Sequence, residues 1–259
     1  MKVTVLQEHL ARGLGIVSRA VSPRSTLPVL ANVLVATDEG RLRLSATNLE
    51  LGITCWIGAK VEEEGSTTVP ARTFVDLVGT LPSEQVNLHL NIQTQTLNVR
   101  AGSSNTEIKC IDAAEFPPLP VPDMEGAVLL NVADFKDMIA QVAMAASIDE
   151  ARPVLMGVLM TVEGETLTMA AADGFRLSVR KGTLSQPPTQ SLTAIIPARA
   201  LNELARVATD GNEMISMVMP KGRGQVIFRM KEVEVVSQLI DGTFPDFQQI
   251  IPRSYKSRT

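Results

Sequence analysis

The feature that most constrains this chain is an internal repeat. The segment Leu27 to Asn48, LPVLANVLVATDEGRLRLSATN, aligns without a gap on Arg152 to Asp173, RPVLMGVLMTVEGETLTMAAAD. Pro28 meets Pro153, an offset of 125, and Val29, Leu30, Val33, Leu34, Leu42 and Ala46 meet identical residues along it. Three further markers follow in the same order. Pro70-Ala71-Arg72 returns as Pro197-Ala198-Arg199 at an offset of 127. Ile111-Asp112 and Phe116-Pro117 return as Ile240-Asp241 and Phe244-Pro245, at 129 and 128. The helical pattern Leu10, Leu14, Val17 matches Phe135, Ile139, Val142 at 125 again. A long period of this kind means tandem copies of one folding unit.

Each copy reads as α+β and strand-rich, with two helices. The first helix of copy one carries apolar residues at Leu6, Leu10, Leu14, Val17 and Val21, the spacing of one buried face. Its counterpart carries Val132, Phe135, Met138, Ile139 and Val142 behind an expected Asn131 N-cap. Two strands then flank a polar turn, Asp38-Glu39-Gly40 or Glu163-Gly164-Glu165. A second helix starts at Pro70 or Pro197, where a missing N–H costs nothing. Further strand patterns run over Val86 to Arg100 and Met214 to Met230. The domains are expected at residues 1–122 and 126–252, joined by the Pro-rich stretch Phe116 to Gly126, with 253–259 a polar stub lacking a counterpart.

Composition excludes several functions. Aromatics are 3% of the chain, so aliphatic residues and Met must fill the cores. The net charge is −4, so bulk charge does not announce a nucleic-acid binder. No run approaches 18 apolar residues and no leader precedes Leu6, so a cytoplasmic protein without membrane contact is expected. Cys55 and Cys110 lie in no metal-ligand spacing. His9 and His89 are far apart, and no hydrolase, zincin or phosphate-loop motif occurs, which argues against an enzyme. Gly222-Arg223-Gly224 reads as a hairpin turn and Glu62-Glu63-Glu64 as a solvated turn, not a metal site. No cofactor is expected.

With this organisation established, Arg24 to Leu30, Val69 to Arg72, Phe116-Pro117, Ala172 to Leu177 and Ile240 to Pro245 closely resemble the bacterial DNA polymerase III β sliding clamp family. The resemblance runs from Met1 to about Pro252. It implies the DNA-clamp fold, with sheets outside and helices lining a ring bore. It implies a non-catalytic accessory subunit of a DNA polymerase holoenzyme: a processivity factor that encircles double-stranded DNA without sequence preference. Such clamps have three domain copies and close as a homodimer, whereas this sequence carries two and reads as a truncated form. The edge at Ser103 to Cys110, with the helix bearing Leu77 and Leu81, corresponds to the family's subunit contact.

The same resemblance assigns candidate sites. Arg24 and Arg152 occupy loops that meet DNA in the family, although Asp149, Glu150 and Pro153 surround the second. Arg72 and Arg199 both sit two residues after a helix-starting Pro, where the helix dipole disfavours a cation by about 0.3–1 kcal/mol. A cation kept twice at that point suits a phosphate contact. Arg12, on a face with Glu8 and Arg19, and Lys136, beside Asp134 and Asp137, are the helix-borne candidates. Polymerase and clamp-loader subunits dock short linear peptides into a pocket whose matching positions are Leu155, Ala172, Gly174, Phe175, Arg176, Leu177, Pro245, Gln249 and Ile250. Phe175 and Gln249 replace the His and Arg frequent in relatives. A plain strand-exit turn at Ala172 to Leu177, a two-domain clamp closing as a trimer, and a partner-binding module without a DNA role remain alternatives.

Overall fold

The computed structural model describes residues 1–187, 191–209, 211–220 and 222–251. The expected stub at 253–259 and the domain end at Pro252 lie outside them. The chain divides into two compact units: residues 1–121 with 229–236, and residues 122–228 with 237–259.

In the first unit, β1 (Lys2–Leu6) leads directly into α1 (Gln7–Val17). A hairpin follows, β2 (Asn32–Asp38) and β3 (Arg41–Thr47), then β4 (Leu51–Glu63), β5 (Ser66–Pro70) and α2 (Ala71–Thr80). The meander β6 (Gln85–Asn91), β7 (Thr96–Ala101) and β8 (Ser104–Lys109) ends this series. The long strand β4 organises the unit. Its first half pairs β3 from Gly52 to Gly58, and its second half pairs β1 from Ala59 to Glu63. Thus β5-β2-β3-β4 and β8-β7-β6-β1-β4 share one strand. Against it lies α1, whose Leu10, Leu14 and Val17 are fully buried, each contributing roughly 1.5–3 kcal/mol.

Three expectations need correction here. Leu6 is the last residue of β1 and 42% exposed, so it is not part of the helical stripe, and Val21 lies beyond a 3-10 turn that ends at Ala20. Glu62 and Glu63 are strand residues of β4, and Glu62 receives Lys2 Nζ at 2.8 Å and Lys60 Nζ at 3.5 Å. Pro70 and Pro197 stand at the N-cap rather than inside the first turn, each ending the strand that runs into its helix.

The second unit repeats the order with β9 (Val128–Asn131), α3 (Val132–Val142), β10 (Gly157–Glu163), β11 (Thr166–Ala172) and β12 (Leu177–Thr183). Then come β13 (Leu192–Pro197), α4 (Ala198–Val207), β14 (Met214–Val218), β15 (Gln225–Arg229), the strand β16 (Val233–Gln238), most of which groups with the first unit, and the short α5 (Phe247–Ile250). The Asn131 side chain accepts from Asp134 N at 3.1 Å, capping α3 as its residue type predicts. Glycines 222 and 224 turn between β14 and β15 with φ of +75° and +58°.

The offset of 125 is kept in the strand register. Thr47 pairs Gly52 in the first unit, and Ala172 pairs Leu177 in the second. On that register the units have exchanged a large and a small side chain at the helix–strand contact. A Cβ on Gly13 of α1 would stand 3.1 Å from Ile57 Cγ2, whereas a Cβ on Gly182 of β12 would stand 2.8 Å from Met138 Sδ. Position 13 plus 125 is 138, and 57 plus 125 is 182. The contact therefore keeps its combined bulk while the bulk changes sides. Gly182→Ile alone should cost about 1–3 kcal/mol by overpacking, and Met138→Gly alone about 3 kcal/mol or more. Urea unfolding should show the double exchange costing well below the sum, whereas additive losses would contradict this packing account.

Candidate functional site

The six candidate cations fall into two groups. Arg24 and Arg199 are exposed and make no hydrogen bond or ion pair among the described residues. Arg72 is 96% exposed and only reaches Asp76 Oδ2 at 3.9 Å along its own helix, a contact worth a few tenths of a kcal/mol at most. The other three are engaged. Arg12 Nη2 donates to Glu232 Oε2 at 3.1 Å. Lys136 Nζ donates to Ala208 O at 2.7 Å, at the C-cap of α4, where the carbonyl end of a helix attracts a cation. Arg152 Nε donates to Asp149 Oδ2 at 2.9 Å and its Nη1 to Asp173 O at 3.1 Å. Arg19, grouped with Arg12 by sequence, lies in the 3-10 turn after α1.

Arg152 links that first set to the turn at Ala172–Leu177. Here Asp173 Oδ1 accepts from Phe175 N at 2.9 Å and Arg176 N at 3.0 Å, while Oδ2 accepts from Arg176 Nε at 2.9 Å. The two backbone N–H groups, and then the guanidinium, hold the Asp173 carboxyl below its ordinary value of 3.8. Backbone donors at Ala151, followed by Arg152, lower Asp149 likewise. The result is a closed turn with Phe175 projecting, 96% exposed.

The first unit builds the same turn with Asn48, whose Oδ1 accepts from Glu50 N at 3.0 Å and Leu51 N at 2.7 Å. There Leu49 sits at φ +77°, a left-handed conformation that side chains resist. Its counterpart is Gly174 at φ +95°, so the second unit makes the turn without that strain.

Of the remaining peptide-site candidates, Ala172 is buried and Leu155 and Leu177 are half-buried. Close packing brings the Ile240–Gly242 segment to Val154 and Gly157. A Cβ on Gly242 would stand 2.6 Å from Val154 Cγ2, and one on Gly157 would stand 2.9 Å from Ile240 Cδ1. Pro245 is exposed, Gln249 Nε2 is turned into Asp246 Oδ2 at 2.9 Å, and Ile250 ends α5. Among the described residues, no hydrogen bond joins Pro245, Gln249 or Ile250 to the Asp173 turn.

Sequence reasoning missed a groove of about 550 Å³ in the second unit, between the start of α3 and the end of β12. Asp134, Asp137, Met138, Arg180 and Leu184 are among its walls. The one signal for it was Gly182, a small residue in a strand opposite a large helical side chain. Among the described residues no cluster of three or more His, Cys, Asp or Glu could hold a metal ion, and no helix is long and apolar enough to cross a membrane.

Tandem α+β units with two helices each, offset by a constant register, define a repeat protein of the DNA-clamp fold. Comparison with known proteins then gives the family. Residues 1–120 match the N-terminal domain of the DNA polymerase III beta subunit and residues 129–246 its central domain. The beta sliding clamp of Staphylococcus epidermidis is 33% identical over 99% of this chain and 69% of its own length. That of Synechococcus elongatus is 36% identical over 98% and 68%. Among solved structures, the Bacillus subtilis DNA polymerase sliding clamp superposes with a TM-score of 0.94 at 29% identity, covering 98% of this chain and 68% of that one. The Pseudomonas aeruginosa clamp bound to griselimycin gives 0.91 at 29%, covering 99% and 69%. The chain belongs to the DNA polymerase III beta subunit family, the bacterial sliding clamps.

Because the native turn lowers the Asp173 pKa, its stabilisation is present above 3.8 and is lost as pH falls through the lower folded value. The amide resonances of Phe175 and Arg176 should therefore stay fixed from neutral pH down to the ordinary carboxylate range and titrate below it. A midpoint above 3.8 would show that the turn does not hold the carboxylate.

Proposed function

We propose that this chain works as a DNA sliding clamp: a non-catalytic tether that encircles duplex DNA and holds the replicative polymerase and other DNA-processing enzymes on it. One observation carries the reading. Consecutive halves of the chain match consecutive domains of the beta subunit, and the chain superposes on a solved clamp with a TM-score of 0.94. The relatives bear the name of sliding clamps, and their role passes to this chain as a proposal. Residues 1–122 and 126–252 are then its clamp domains one and two, and the cytoplasm is its place of action.

The distribution of charge suits such a role. A ring holds DNA by topology, and every neutralised phosphate adds affinity that opposes sliding. A net charge of −4 gives the chain no general excess of cations with which to grip DNA tightly. Arg24, Arg72 and Arg199 are the proposed phosphate contacts, exposed and weakly held. Arg12, Arg152 and Lys136 are proposed as secondary contacts, because each would first have to leave an existing partner. Leu155, Ala172, Gly174, Phe175, Arg176, Leu177, Pro245, Gln249 and Ile250 are the proposed receptor for short peptides of polymerase and clamp-loader subunits. The projecting Phe175 ring and the Gln249–Asp246 pair supply its distinctive chemistry.

Binding of this chain to a duplex oligonucleotide should be weak, independent of sequence and salt-dependent, with a log–log slope near three for three phosphate contacts. Arg24→Ala, Arg72→Ala and Arg199→Ala should each reduce the slope by about one. A slope unchanged by all three substitutions would contradict the assignment of these residues.

A further inference from the structure

After Phe116 the chain runs out of the first unit through Pro117-Pro118-Leu119-Pro120-Val121. Each proline lacks a backbone donor, and a residue that precedes a proline is held in extended backbone. Among the described residues no hydrogen bond fixes residues 117–121 to the unit. What holds the segment is side-chain packing.

That packing centres on one residue. Pro118 and Val121 are exposed, whereas Leu119 is half-buried and packs against a small core of Val29, Leu30 and Phe116. The leucine enters a notch that exists because residue 52 has no side chain. A Cβ on Gly52 of β4 would stand 2.9 Å from Leu119 Cδ2, closer than two non-bonded carbons settle. Gly52 is not among the glycines with positive φ, so its backbone does not require glycine. The space taken by Leu119 does.

The notch has a meaning in the repeat. At an offset of 125 the counterpart of Gly52 is Leu177, and that of Leu30 is Leu155, both proposed above to receive partner peptides. Where the second unit carries a leucine on the strand, the first carries a glycine and takes a leucine from the segment that follows it.

We propose that the notch over Gly52 is a peptide-binding site whose resident ligand is the chain's own Leu119, and that it accepts an extended, proline-flanked leucine from a second molecule. The segment seated there defines the chemistry of the partner: one apolar anchor on a stretch that brings no backbone hydrogen bonds. Displacing Leu119 breaks no hydrogen bond, and the incoming leucine restores the contact it removes. Flanking prolines narrow the conformations of the free segment, so little freedom is lost on docking. What favours Leu119 over a competitor is its tether, which gives it an effective concentration of about millimolar. The site stands on the packing of Leu119 and does not depend on the receptor assigned to the second unit.

The test uses the full chain, isotope-labelled, and a synthetic peptide of residues 117–121 with both ends blocked. In the native chain the tethered leucine competes, so submillimolar peptide should leave the amides of Leu51 and Gly52 unmoved. In Leu119→Ala the peptide should shift those amides and that of Leu30, binding on the order of tenfold more tightly than to the native chain. A peptide with alanine at its leucine should not bind. Because Leu119 is only half-buried, the variant should keep its fold, which unmoved amides of α1 report. Gly52→Leu probes the same notch without altering the segment: it should expel Leu119 and shift the Leu119 and Val121 amides toward free-chain values. An unmoved Gly52 amide in Leu119→Ala, equal affinities of the native and Leu119→Ala chains, equal binding of the alanine peptide, or a Leu119 amide unmoved by Gly52→Leu would each overturn the proposal.

Discussion

Everything in both units rests on one contact, the first helix lying across the strand that leaves the central hairpin. In the first unit α1 lies on β4 with Gly13 against Ile57, and in the second α3 lies on β12 with Met138 against Gly182. Protein interiors are packed at crystal-like density, so a helix–strand contact tolerates little change in total volume. The chain satisfies that limit twice by different means. Fixing this contact fixes the helix over the strand that leaves the Asx-type turn.

That turn illustrates how one backbone device can change use. Asn48 and Asp173 accept the same pair of N–H groups, so the bend is a property of the repeat rather than of a binding site. What differs is what the bend presents. In the first unit Leu49 is strained at positive φ, while in the second a glycine relieves the strain and Phe175 stands out in water. An exposed large apolar side chain on a rigid, fully bonded turn is suited to meeting a partner without reorganising first. This is the physical content of the peptide-receptor reading, and it is independent of how the phosphate contacts are distributed.

Much of the fold was legible because duplication doubles every signal. The offset of 125 survives residue by residue in the strand register, the turn glycines 40 and 164 fall where hairpins need positive φ, and Asn131 caps its helix. Local pattern misled where strand and helix adjoin. Leu6 fits a helical stripe but ends β1, and Glu62 and Glu63 read as a turn although β4 carries them past the sheet boundary, with Glu62 paired to lysines. The candidate site was legible as a list of residues but not as a set of states. Nothing local told that Arg12 and Lys136 are engaged, because their partners lie 220 and 72 residues away, whereas the Asp149 partner of Arg152 stands three residues before it. The grouping of residues 229–236 with the first unit escaped sequence reasoning for the same reason: strand pairing is set by long-range contacts that no short window contains.

The central claim is that the two units are one fold in one register, in which the edge of β4 is closed and, among the described residues, the matching edge of β12 is open. Native-state hydrogen exchange on the unmodified chain tests it most directly by comparing two amides at equivalent positions. The N–H of Trp56 donates to Glu232 O at 2.9 Å and should exchange only through larger openings of the first unit. The N–H of Lys181, 125 residues on, should exchange orders of magnitude faster, while its neighbours bonded to β11 remain protected. Equal protection of Trp56 and Lys181 would mean that the second edge is covered as well, and would contradict the account.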